Sequence, residues 1–68
     1  MSESRWVHLD VDEVLRETEK AFLIRLESGE EHWIPKSQIS DVDDYNVGDR
    51  NATVSVSSWF CEKEGIEF

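Results

Sequence analysis

Carboxylates are the residues of this chain whose number and spacing point to chemistry. Sixteen Asp and Glu stand against seven Lys and Arg, a formal net charge of −9. They come in groups: Asp10, Asp12 and Glu13; Glu27, Glu30 and Glu31 around Gly29; Asp41, Asp43, Asp44 and Asp49 in the run DVDDYNVGD; and Glu62, Glu64 and Glu67 near the end. Acids so grouped suit either of two tasks, holding a hard cation or imitating the phosphates of a nucleic acid.

The cation reading fails on register. Counted from Asp41, the fifth position is Tyr45, the sixth is Asn46 where a calcium loop needs glycine, and the twelfth is Ala52, so no bidentate Glu closes the site. His8, His32 and Cys61 contain no close-spaced pair of the kind zinc sites use, and read as core-edge histidines and a buried thiol. No Ser–His–Asp order, glycine-rich phosphate loop or CxxC is present, and 68 residues leave little room for a cleft that excludes water. Neither an enzyme, a metal nor a cofactor is expected.

Charge also restricts the partners. Binding duplex DNA or RNA depends on Lys and Arg displacing condensed counterions, and Arg5, Arg16, Lys20, Arg25, Lys36, Arg50 and Lys63 form no run. Direct duplex binding is not expected. Membrane association is not expected either, because the longest apolar runs, Ala21–Ile24 and Trp59–Cys61, fall far short of the roughly 20 residues that span a bilayer. A lone cysteine and the lack of a secretory-type opening segment favour a reducing, cytoplasmic setting.

Carboxylates held at fixed spacing can occupy a basic groove built for nucleic acid, with fast, salt-sensitive association. Asp41, Asp43, Asp44, Glu30 and Glu31 are the expected contacts. Solubility alone is the simpler account of such charge. A different reading uses Trp33, Lys36, Tyr45 and Trp59 as a stacking platform for single-stranded nucleic acid. Against it, so small a chain should need Trp33 and Trp59 in its core.

Strands must position these groups. Val7, Leu9 and Val11 alternate with His8, Asp10 and Asp12, as a half-buried strand requires, although Val11, Val14, Leu15, Thr18 and Phe22 also fit helical spacing. Residues 20–27 place Phe22, Ile24 and Leu26 on one face and Leu23 and Arg25 on the other. Residues 31–34 then set His32 and Ile34 opposite Trp33, which makes 20–34 a β-hairpin. Pro35 stops that strand and predicts a tight or 3₁₀ turn over WIPKSQI, with Lys36, Ser37 and Gln38 standing out and Ile39 as its anchor. The polar stretch 40–50 is the main loop. Residues 51–57 alternate again, and Ser57 or Ser58 caps a short helix, WFCEKE, that Gly65 terminates with Ile66 folding back. Four strands, a tight turn and a helical turn predict a mainly β domain over residues 1–68, a small bent barrel or roll of SH3-like or OB-like kind.

Three stretches, ETEKAFLI (17–24), WIPKSQI (33–39) and WFCEKEGI (59–66), resemble in order and spacing a group of short proteins of bacteriophages and other bacterial mobile elements. The sequence departs from that pattern at Ser57-Ser58 and Phe60-Cys61. The resemblance implies a small phage-type β-barrel acting inside a bacterial host cell. Short acidic phage proteins include anti-CRISPR inhibitors that mimic DNA, and this context, joined to the net charge of −9, favours a basic nucleic-acid-binding host protein or complex as the expected partner. A homodimer covering an exposed strand edge is a further possibility.

Overall fold

The computed structural model describes residues 5–66; Glu67, grouped above with the terminal acids, lies outside them. Period-two alternation decides most of the architecture. Strands β1 (Trp6–Glu17), β2 (Ala21–Leu26), β3 (Glu31–Pro35) and β4 (Arg50–Ser57) are followed by one helix, α1 (Ser58–Glu64). They form a single antiparallel sheet in the order β3-β2-β1-β4.

β1 is the organising strand. Its register with β4 runs from Trp6 opposite Ser57 to Glu13 opposite Arg50, and its register with β2 runs from Val11 opposite Leu26 to Glu17 opposite Phe22. The second ladder slips twice, between Val11 and Glu13 and again between Val14 and Arg16. Each slip is a bulge, which bends a strand and increases its twist. The first explains why β1 carried a helix-like signal: an extra residue lets Val11 and Val14, three apart, both reach the core fully buried.

The core is the inward face of this curled sheet closed by α1. Leu9, Val11 and Val14 meet Phe22, Ile24 and Leu26, with Ile34, Ile39, Val54 and Val56 beside them and Phe60, Cys61 and Ile66 arriving from the helical end. Ser57 caps α1 by accepting the Phe60 N–H at 3.2 Å, and Gly65 ends it at φ 72. The Ile66 N–H then donates to the Cys61 carbonyl at 2.8 Å, folding the chain back as expected.

The four strands stand as one open sheet: Pro35 ends β3 after five residues, and the chain crosses through a 3₁₀ turn (Lys36–Gln38) to Ile39, which bridges to Val56 at the outer edge of β4. One expectation is corrected. The tryptophans are not core. Trp6, Trp33 and Trp59 are 45%, 48% and 56% exposed, and among the described residues the buried aromatics are Phe22 and Phe60. Trp33 lies on the face opposite Ile34, and a one-layer sheet buries only one of its faces.

A candidate acidic docking surface

The acidic groups differ in what surrounds them. In β1 the bulge aims Asp12 and Glu13 at Arg25 of β2, whose Nε donates to Asp12 Oδ2 at 2.9 Å and Nη2 to Glu13 Oε1 at 3.1 Å. Arg50 of β4 approaches the same Glu13 oxygen at 3.8 Å. The hydrogen bond that Arg25 donates to Asp12, with the fields of Asp12, Glu13 and Glu31, raises the Arg25 pKa above its ordinary value against the opposing effect of desolvation. Near the other end of β1, Glu17 holds Lys36 at 2.6 Å. These carboxylates are neutralised within the molecule.

The loop after Ile39 is built differently. Ser40 donates its N–H to the Ser55 carbonyl at 2.9 Å, and Asp41 adopts a left-handed conformation at φ 56 that opens a second 3₁₀ turn, Val42–Asp44. Val42 and Tyr45 pack on the core, and Tyr45 Oη donates to the Thr53 carbonyl at 3.3 Å. At the far end the Gly48 N–H donates to the Val14 carbonyl at 2.8 Å, and the Val14 N–H to the Asp49 carbonyl at 2.9 Å. Asp49 also accepts the Asn46 N–H at 2.9 Å. The loop is therefore fixed to β4 at its start and middle and to Val14 of β1 at its end. Asp41, Asp43 and Asp44 are exposed on it, and among the described residues no Lys, Arg or His nitrogen lies within 4.0 Å of their carboxylates.

Glu30 and Glu31 occupy a second place, the end of the turn joining β2 to β3 and the first residue of β3. Glu30 accepts the Leu26 N–H through its carbonyl at 2.8 Å, and its carboxylate lies 3.1 Å from His32 Nε2. With Asp10, Glu27, His8 and Gly65 it lines a groove of about 510 Å³ between this turn and β1. Glu31 faces Arg25 across the β2–β3 ladder. The five residues expected as contacts thus fall into two groups: Asp41, Asp43 and Asp44 on the loop, and Glu30 and Glu31, of which Glu30 lies against His32 and Glu31 faces Arg25 across the ladder.

Trp33, Lys36, Tyr45 and Trp59 lie in four different segments, β3, the first 3₁₀ turn, the loop after the second and α1. Trp33 sits on β3 and Tyr45 at the β4 edge, the two outer strands of the sheet, while Trp59 on α1 carries Lys63 over its ring at 5.1 Å. Lys36 does not stand out from its turn, because it is held by Glu17 and lies 5.0 Å over the Phe22 ring. Gln38 also turns inward, where its Oε1 accepts the Ser57 hydroxyl at 2.5 Å. His8 Nδ1 and Ser55 Oγ are 3.0 Å apart across β1 and β4, and Cys61 is fully buried, so these two and His32 have separate local roles. Among the described residues no helix is long and apolar enough to cross a membrane.

No protein-family model, curated protein or solved structure matches the chain.

Proposed function

We propose that this is a non-enzymatic binding protein whose Asp41–Asp44 loop docks on a basic, nucleic-acid-binding surface of a partner protein. One observation carries the reading: Asp41, Asp43 and Asp44 are exposed on an anchored loop without internal counterions, whereas Asp12, Glu13 and Glu17 are paired. Surplus charge kept only for solubility needs no anchored loop. Pre-fixed carboxylates lose little freedom on docking, so more of each charge-assisted hydrogen bond to Arg or Lys is kept as affinity. The net charge of −9 supplies the long-range attraction that speeds encounter with a basic groove. The resemblance of residues 17–24, 33–39 and 59–66 to mobile-element proteins suggests a bacterial host defence complex as that partner, inhibited by a DNA mimic. The bulged, curled sheet and the Ile39–Val56 bridge favour an SH3-like roll as its parent architecture.

Affinity capture from a bacterial lysate at low and high salt, with the full chain and with Asp41→Asn/Asp43→Asn/Asp44→Asn, tests the proposal. A basic nucleic-acid-handling protein retained by the native chain at low salt and lost by the variant is the expected result. An unchanged partner set contradicts it.

The exposure of Trp33 and Trp59 favours a second reading, a small adaptor for single-stranded nucleic acid. A gel shift with labelled oligonucleotides at low salt decides between the two, since only the adaptor binds them directly.

A further inference from the structure

β3 pairs with β2 on one side, and among the described residues no strand pairs with its other side. The ladder fixes which backbone groups face that open edge. Leu26 N–H donates to the Glu30 carbonyl and Lys36 N–H to the Lys20 carbonyl at 2.7 Å, so the even-numbered residues turn their backbone groups toward β2. Glu31, Trp33 and Pro35 turn theirs outward. The same three side chains lie on the outer face, where Trp33 is opposite Leu23 and Pro35 opposite Ala21. An edge strand with a half-exposed tryptophan at its centre is a template for another strand.

We propose that the protein forms a two-fold symmetric homodimer in which β3 pairs antiparallel with β3 of a second copy, centred on Trp33. This register pairs all five residues of the strand. Trp33 meets the partner's Trp33 and the two exchange both backbone hydrogen bonds. Glu31 meets the partner's Pro35, and its N–H donates to that carbonyl. The missing N–H of proline removes only the reciprocal bond. Charge selects a second copy as the occupant. One end of the strand carries Glu30 and Glu31. Beside the other lies Lys20, exposed and, among the described residues, without a carboxylate within 4.0 Å, whereas Lys36 is already held by Glu17. Antiparallel pairing therefore brings acids toward Lys20 at both ends. The indoles then cover each other and the Leu23 and Ala21 side chains beneath. β3 and the Asp41–Asp44 loop belong to opposite outer strands of the sheet order, so the proposal stands or falls independently of the docking function.

Sedimentation equilibrium of the full chain over micromolar to millimolar concentration tests it. The expected mass rises toward twice 7.9 kDa. Trp33→Lys is expected to remain monomeric with an unchanged circular dichroism spectrum, while Trp59→Lys, at a comparably exposed position on α1, still dimerises. Glu31→Pro removes two hydrogen bonds of the dimer and none of the monomer, and is expected to weaken association about tenfold. Should Trp33→Lys fail to fold, Glu31→Pro decides alone. A native chain that stays monomeric, a folded Trp33→Lys variant that still dimerises, equal loss in both tryptophan variants, or undiminished association of Glu31→Pro overturns the proposal.

Discussion

Arg25 Nε donates to Asp12 Oδ2 at 2.9 Å across a β-bulge, and this contact ties the bend of the sheet to its charge pattern. Without the slip between Val11 and Glu13, the acids of β1 would alternate regularly between the faces of the strand. With it, Asp12 and Glu13 share one guanidinium on the outer surface, and Arg50 approaches Glu13 from the other side. Arg25→Gln should therefore lower the melting temperature modestly at low salt, with the difference shrinking in molar salt, because exposed ion pairs are screened. A deficit that is independent of salt would mean that Arg25 acts through packing alone.

Aromatic burial is concentrated in the phenylalanines. Phe22 is buried at the centre of the core. Phe22→Ala should cost about 3–5 kcal/mol, a large share of the roughly 5–15 kcal/mol of a small domain. Trp33→Ala and Trp59→Ala, each about half exposed, should cost about 1 kcal/mol apiece. Urea titrations of the three variants check the order, and a tryptophan variant as damaging as Phe22→Ala would overturn it.

Much of this was legible in the chain. The hairpin, the turn at Pro35, the serine cap and the glycine stop of the helix all follow from local rules that tertiary packing did not override. The exposure of Trp33 was also present in the pattern, since alternation sets it opposite Ile34; the general need of a small domain for large core side chains pointed the wrong way. The β1 bulges were not legible. A bulge spaces inward residues by three, which on sequence alone mimics a helix, and only pairing with β2 distinguishes the two. Which acids are neutralised depends on that same pairing, so Asp12 and Asp43 look alike in sequence and differ in the fold.

Ser57 joins two parts of the molecule, capping α1 through the Phe60 N–H while donating to Gln38 of the 3₁₀ turn. Loss of a helix cap costs about 1 kcal/mol, and Ser57→Ala also strips Gln38 Oε1 of this donor, so a total of about 2 kcal/mol is expected. Gln38→Ala should be milder. Chemical denaturation of both variants tests this, and equal costs would show that the cap contributes nothing separate.

Cys61 provides a pH signature. Burial, helped by the neighbouring Glu62 charge, pushes its thiol above the ordinary value of 9.0. The folded state therefore keeps a proton that the unfolded state releases. Its contribution to stability is full below pH 9.0 and is lost as pH rises from there toward the raised folded value. Denaturation midpoints measured on either side of that pH should fall more steeply for the native chain than for Cys61→Ala. Parallel curves would contradict the assignment.

The most direct test of the docking loop compares two variants of equal net charge against a partner captured by the native chain. Asp41→Asn/Asp43→Asn/Asp44→Asn removes three loop carboxylates, and Glu19→Gln/Glu62→Gln/Glu64→Gln removes three exposed ones elsewhere. Titration calorimetry at constant low salt should show the loop variant binding at least about tenfold more weakly, as expected for the loss of charge-assisted contacts, with the second variant near native affinity. Equal losses in the two would show that overall charge, not the anchored loop, attracts the partner, and would contradict the account.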